Sequence, residues 1–361
     1  MAAALAKLLT LLLAWAAAEL CRWLHMPIPW MLGPLLATAL VTIGGLPTGS
    51  DARLRNVGQW VMGASLGLYF TPMVVTQLLG LWWAVLLAVA WALLLGMLYG
   101  HWLFRSCSGV LPGVSDAALR PTAYFAGAIG AASEMTLLAE REGARTDLVA
   151  ASHSLRMLIV VLVIPFGALM AKFWWNLEAV ALPPGSGLPV TPAGLALLVL
   201  LTCAGALVMG LRRLPNPWFL GPLMVAVTLA ASDTATSPVP SVLSNIAQLF
   251  IGVSLGVRFS PQFVNTAPRW LARVGLGTLG LLVCCAAFGW LLARVTGLHT
   301  ATAILGTAPG GMTEMSITAK VLQLGVPVVT ALQVTRMVAV LVLVRPVYRF
   351  WAARFAASRE A

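Results

Sequence analysis

Apolar runs of bilayer-crossing length recur along almost the whole chain, and this leaves few architectures open. The clearest are Leu5–Leu20, Leu78–Leu103, Leu155–Phe173, Leu195–Met209, Leu276–Leu292 and Val334–Val344. A run approaching 20 apolar residues reads as a transmembrane helix. Composition agrees: 60% of the 361 residues are hydrophobic and 9% are charged. The mean hydropathy is +0.93. A soluble domain carries roughly 25% charged residues, so this surface cannot face water all round. The expected fold is all-α and polytopic, with about 10–12 transmembrane segments.

The chain also repeats itself. Pro29-Trp30-Met31-Leu32-Gly33-Pro34-Leu35 returns as Pro217-Trp218-Phe219-Leu220-Gly221-Pro222-Leu223. Asn56-Val57-Gly58-Gln59, continuing to Gly63-Ala64-Ser65-Leu66-Gly67, returns as Asn245-Ile246-Ala247-Gln248, continuing to Gly252-Val253-Ser254-Leu255-Gly256. Ser133-Glu134-Met135 returns as Thr313-Glu314-Met315, and Arg156-Met157 as Arg336-Met337. The offsets, 217 − 29 = 188, 245 − 56 = 189 and 314 − 134 = 336 − 156 = 180, keep the order of the motifs. This is a duplication. We divide it into a first membrane repeat, 1–182, a Pro/Gly-rich linker, 183–190, and a second repeat, 191–361. Duplicated membrane halves commonly share a site at their interface.

Each half holds six apolar segments, near 5–24, 28–44, 56–71, 76–104, 121–140 and 148–172, then near 191–211, 216–231, 243–259, 270–294, 299–321 and 326–350. Segments 28–44 and 216–231 open with Pro-Trp and are short for a full crossing. Segments 121–140 and 299–321 are rich in small residues, and Gly306-Thr307-Ala308-Pro309-Gly310-Gly311 reads as a break in a helix. Gly127-Ala128-Ile129-Gly130-Ala131-Ala132 is the softer first copy. Lys7 precedes the first apolar run, which reads as a retained helix rather than a cleaved signal, because further spanning sequence follows at once.

Polar residues inside apolar spans are costly, roughly 2.5–3.5 kcal/mol for a charge at the helix centre, so those retained in both copies are the candidate site. Glu134 and Glu314 lead. Each follows a hydroxyl, Ser133 or Thr313, that is placed to cap the second half-helix. They read either as an ion, proton or substrate site or as cap carboxylates locking the break. Arg156 and Arg336 must find partners, since a guanidinium stays protonated. The plain reading pairs them with Glu134 and Glu314; the functional one makes them fixed cations for an anionic substrate. Asn56, Gln59, Asn245 and Gln248, with Ser65 and Ser254, form a polar face beside Gly-x-x-x-Gly spacings that allow close helix approach. Trp30 and Trp218 read as interface anchors or as packing for the short helices. His153 stands where the second copy has Gln333, so a proton relay there would not be shared.

Other chemistry finds little support. His25, His101, His153 and His299 show no metal-ligand spacing. Cys21, Cys107, Cys203, Cys284 and Cys285 read as small apolar packers, with Cys284 and Cys285 on different helix faces. No cofactor, metal or catalytic set is expected, and the chain does not read as an enzyme. The net charge of +11 reads as the bias of short cytoplasmic loops and of a basic tail, Arg345, Arg349, Arg354 and Arg359, rather than as a nucleic-acid footprint. The tail argues for a cytoplasmic C-terminus. Expected partners are the lipid bilayer, a small solute or ion, and another copy of the chain as a homo-oligomer, with no direct nucleic-acid contact.

The duplicated Pro-Trp-x-Leu-Gly-Pro-Leu, Gln-x-x-x-Gly-x-Ser-Leu-Gly and Ser/Thr-Glu-Met motifs resemble those of the AbrB-type integral membrane proteins of Gram-negative bacteria, over essentially the whole chain. These are distinct from the small soluble DNA-binding proteins of the same name. The resemblance implies a multi-pass protein of the cell inner membrane, in a family labelled as regulators of gene expression and sometimes as ammonia monooxygenases. Four scattered His residues argue against the second label. No loop is long enough to read DNA, so any regulation would be indirect. The family is more distantly similar to bile-acid symporters and cation–proton antiporters, which would imply inverted repeats and broken helices near the midplane, by analogy of architecture. The resulting expectation is a secondary transporter or exporter of a small solute, with a membrane sensor that has no transport cycle as the alternative.

Overall fold

A computed structural model describes residues 2–109, 114–175, 189–235, 237–259 and 267–360. Most of the linker 183–190 and the side chains of Arg354 and Arg359 lie outside what is described. The described residues form fifteen α-helices and no strand. The first repeat supplies α1 (Ala2–Trp23), α2 (Pro29–Ile43), α3 (Ala52–Gly67), α4 (Pro72–Gly80), α5 (Trp82–Cys107), α6 (Asp116–Gly127), α7 (Ala132–Glu140) and α8 (Thr146–Trp175). The second supplies α9 (Pro192–Leu211), α10 (Pro217–Ala231), α11 (Ser241–Gly256), α12 (Pro268–Thr296), α13 (Thr300–Thr307), α14 (Met312–Val321) and α15 (Val326–Glu360).

The chain is an all-α protein of membrane type. Five helices, α5, α8, α9, α12 and α15, are each long and apolar enough to cross a bilayer alone. A sixth candidate is the pair α3 and α4, bent by 86° where Thr71-Pro72 opens α4. The Pro-Trp helices are short, at 15 residues each. Both begin the same way, after a residue in the left-handed region: Ile28 at φ 50° and Asn216 at φ 48°. Both breaks expected in the small-residue segments are present, and they occupy equivalent residues. α6 stops before Ala128 and α7 starts at Ala132; α13 stops before Ala308 and α14 starts at Met312, since 308 − 128 = 312 − 132 = 180. The two stop residues share extended backbone, with ψ 134° at Ala128 and 142° at Ala308. The first copy breaks as completely as the second without the proline.

The residues group into two compact units that are a different partition from the two repeats. The first holds Met1–Leu81, Val161–Val264 and Thr313–Thr330; the second holds Trp82–Val160, Asn265–Met312 and Ala331–Ala361. In the first unit the duplicated motifs pack across the repeats. Gly63 and Gly67 of α3 lie on α10, where an added Cβ at Gly67 would meet Leu223 O at 2.7 Å and one at Gly63 would collide with Phe219 O. Gly252 and Gly256 of α11 lie on α2, with the same hypothetical Cβ 2.5 Å from Met31 O and 2.8 Å from Leu35 O. Each Gly-x-x-x-Gly therefore receives the Pro-Trp helix of the other repeat. The duplicated Gly of that helix faces back within its own repeat, Gly33 against Ala17 of α1 and Gly221 against Gly205 of α9. Small residues at these crossings let backbones approach where lipid supplies no hydrophobic drive.

In the second unit each half-helix before a break rests on the long helix preceding it. Gly127 of α6 meets the backbone of Gly100 on α5. Gly289 of α12 faces Ile304 of α13, and Thr307 donates to Cys285 O at 3.2 Å. Tyr99 of α5 donates to Val274 O of α12 at 3.0 Å.

Candidate functional site

A helix that stops inside a membrane protein leaves carbonyls without partners, and the following span supplies them here. In the first copy His153 and Arg156, one turn apart on α8, reach the end of α6. His153 Nε2 bonds Phe125 O at 2.9 Å, and Arg156 donates to Ala126 O at 3.3 Å and to His153 Nδ1 at 2.6 Å. These partners fix the imidazole as neutral, with its proton on Nε2. In the second copy Gln333 and Arg336 of α15 do the same to α13. Gln333 donates to Leu305 O at 2.8 Å and Ala308 O at 3.1 Å. Arg336 donates to Ala308 O, to Gly310 O at 2.8 Å and to Gln333 Oε1 at 2.6 Å. His153 thus occupies the structural role of Gln333, and Leu305 that of Phe125, with 305 − 125 = 180.

The expected Glu–Arg pairing is not how either guanidinium is satisfied. Arg156 and Arg336 are 4% and 5% exposed, yet among the described residues neither forms an ion pair. Backbone carbonyls took the place assigned to carboxylates. A half-helix C-terminus carries a partial negative charge of about 0.5, so it suits a cation.

The hydroxyls do not act as caps either. α7 starts after Ala131, which makes no side-chain cap, so Ser133 already lies in the first turn beside Glu134. Thr313 and Glu314 likewise fall inside α14. The two carboxylates then differ. Glu134, in the second unit, is half-buried beside an exposed Ser133 and has no ion pair among the described residues. Glu314, in the first unit, is 6% exposed, next to a buried Thr313 and within the field of Arg258.

Within the polar face of the first unit, one member ties two helices together. Asn56, with its amide turned to suit both neighbours, accepts from Trp218 Nε1 at 3.2 Å and donates to Ala52 O at 3.2 Å, tying α3 to α10. Trp30 packs against Ala14, Leu249 and Val253. Gln248 is buried, while Gln59 and Asn245 are half-buried.

One residue of this unit was not singled out in the sequence. Lys320, at the end of α14, donates to Ser65 Oγ of α3 at 2.6 Å and to Ser244 Oγ of α11 at 3.1 Å. One serine comes from each repeat, and among the described residues no carboxylate pairs with Lys320. The available signal was a lysine at the end of a broken apolar segment, in a chain with three lysines. Ser254, the copy of Ser65, turns back to its own helix and donates to Ile251 O at 2.8 Å.

The second unit thus offers two fixed guanidiniums, and the first unit separately offers Lys320 with its two serines and the buried acid Glu314. Among the described residues no group of three His, Cys, Asp or Glu side chains could hold a metal ion.

The sequence profile described as "Transition state regulatory protein AbrB" matches residues 30–352. The chain is 28% identical over 333 residues to "Putative regulator AbrB" of Escherichia coli (strain K12), covering 90% of each chain. It is 25% identical over 342 residues to "Uncharacterized protein YhjN" of Bacillus subtilis (strain 168), covering 89% of this chain and 87% of that one. A profile match of this extent means that the chain belongs to the AbrB family.

Proposed function

We propose that this protein is a secondary transporter or exporter of a small solute, a multi-pass carrier of the inner membrane that does no covalent chemistry. The observation that carries this reading is the duplicated break. Two helices end at equivalent residues within the protein, and each open end is gripped by an almost fully buried arginine from the next span. Irregular backbone at membrane depth is tolerated where it is buried in protein or lines a cavity, and in transporters such breaks form the substrate site. Capping an open helix end does not need a full charge, since the neutral Gln333 also donates to Leu305 O and Ala308 O, and each buried guanidinium costs several kcal/mol to desolvate. Glu314 and Lys320 are the groups of the first unit suited to coupling or gating.

Purified protein in proteoliposomes, screened for proton- or sodium-driven solute flux, tests the reading. Glu314→Gln, Lys320→Met and Arg336→Lys should each reduce a detected flux by about tenfold or more, the cost of one charge-assisted contact. Unchanged flux in all three removes the site assignment.

A second reading has one observation in its favour, the name "Putative regulator AbrB" of the Escherichia coli relative. In it the same helices form a sensor without a transport cycle, read by a soluble partner. Flux-dead variants that still correct the transcript changes of a deletion strain would favour it; variants that behave like the deletion favour the carrier.

A further inference from the structure

The second unit holds more buried positive charge than its own groups neutralise. The acids of this unit whose side chains are described are Asp116, Glu134, Glu140, Glu142 and Asp147. Glu142 serves Arg345 and Arg349, and Asp147 serves Arg145. None of the five pairs with Arg156 or Arg336. The two breaks nevertheless share one neighbourhood: Ile129, at the first break, packs in the same buried cluster as Cys285, whose carbonyl accepts from Thr307 at the end of α13 at 3.2 Å.

The balance of charge is informative. Two guanidiniums bring two positive charges. The C-termini of α6 and α13 return about half a negative charge each, which leaves roughly one positive charge uncompensated in a dry environment. The balance of donors agrees. A guanidinium has five N–H groups in a planar fork. Among the described residues Arg156 makes two hydrogen bonds and Arg336 three. Nε of Arg336 is buried with no hydrogen-bond partner. An unpartnered N–H on a charged group carries a desolvation penalty that one more acceptor would remove. The acceptor that matches a guanidinium edge in shape and charge is a carboxylate or a phosphate-like oxyanion.

We infer that Arg156 and Arg336 bind the single anionic group of a small solute, a carboxylate or oxyanion, against the ends of the two broken helices. This names the substrate class of the carrier proposed above and rests on that reading. The carbonyl clamps hold each guanidinium rigid, so the site is preorganised and its selectivity follows from charge and planar geometry.

The test is binding measured apart from transport. Intact protein in lipid nanodiscs is titrated with the sodium salts of acetate, succinate, phosphate and sulfate, against acetamide and succinamide as uncharged matches, at constant ionic strength. Thermal stabilisation and calorimetric affinity are read. At least one anion should bind where its amide does not. Arg156→Lys and Arg336→Lys keep the charge but lose the fork, and each should weaken that affinity about tenfold or more. Arg345→Gln removes an equal charge at the Glu142 pair and should leave it unchanged. The proposal is overturned if no anion is preferred over its amide, or if Arg345→Gln weakens binding as much as the two clamp variants do. If one Lys variant fails to fold, the other is decisive; if both fail, anion-selective protection of the native protein against heat decides. An anion that binds without crossing proteoliposomes overturns the carrier reading and leaves this site standing. Flux of a cation or neutral solute, indifferent to every anion, does the reverse.

Discussion

His153 and Gln333 perform one task with different side chains. Each accepts from an arginine one turn ahead and contacts the open end of a broken helix. An amide offers the donor and the acceptor that the neutral imidazole offers, without its titration. His153→Gln should therefore alter stability by less than about 1 kcal/mol, whereas His153→Leu strands Phe125 O and part of Arg156 and should cost roughly 1–3 kcal/mol. Thermal unfolding in detergent distinguishes the two; equal losses would mean that the ring's shape matters more than its hydrogen bonds. At the turn between α7 and α8, Glu142 supports a second prediction. Partial burial alone would raise its carboxyl, but the bond from Arg345 at 2.7 Å and the charges of Arg349 and Arg345 outweigh it and hold the group below its usual 4.5. A carboxylate lowered in the folded state stabilises above its unfolded value, and that stability fades as pH falls through the lower folded value. The advantage of the native chain over Glu142→Gln should be at most about 1 kcal/mol near neutrality and vanish on acidification below pH 4.5. A difference that grows on acidification would show the sign to be wrong.

At the scale of the helix, close approach decides which glycines matter. A methyl group on Gly252 would sit 2.5 Å from Met31 O, whereas one on Gly280, inside α12, would meet nothing within 4 Å. Gly252→Ala should cost about 1–3 kcal/mol by forcing α11 off α2. Gly280→Ala should be neutral or stabilising by up to about 1 kcal/mol, since alanine is the better helix former. Unfolding midpoints of the two variants, measured side by side, check the contrast. The sequence made these elements legible to different degrees. Apolar runs announced the long helices, Pro-Trp announced the short ones, and the small-residue stretch around Gly310 announced a break. The break at Ala128–Ala131 was harder to read, because no proline marks it and the side chains that satisfy its open end, His153 and Arg156, stand on the next span, 153 − 128 = 25 and 156 − 128 = 28 residues on. The arginines' partners were hidden for a simple reason: a backbone carbonyl is present at every position and leaves no signature in the sequence. Lys320 was passed over because its serine partners stand on two helices from opposite repeats.

For the whole molecule, duplication and compact unit answer different questions. The repeats were visible as motifs, but which copy each motif would pack against was not, because a Gly-x-x-x-Gly shows that a partner backbone comes close without saying whose. The first unit takes both Pro-Trp helices and both glycine motifs, whereas both arginine clamps fall in the second. Orientation in the bilayer belongs to this scale as well. Positive charge near the ends of spans sets topology, and the end of the chain carries Arg345, Arg349, Arg354 and Arg359 against Glu360. Glu142 shares Arg345 and Arg349 without cancelling both, so the tail keeps its positive bias. Each basic residue facing the anionic cytoplasmic leaflet is worth about 1 kcal/mol, enough together to favour one orientation strongly. A fluorescent protein fused after Ala361 should therefore mature and fluoresce, while alkaline phosphatase fused at the same place should be inactive. Replacing the four tail arginines with glutamine should weaken that preference. An active phosphatase fusion on the native tail would put the C-terminus on the outer face, and the charge bias of the inter-helix loops, not of the tail, would then be what sets topology.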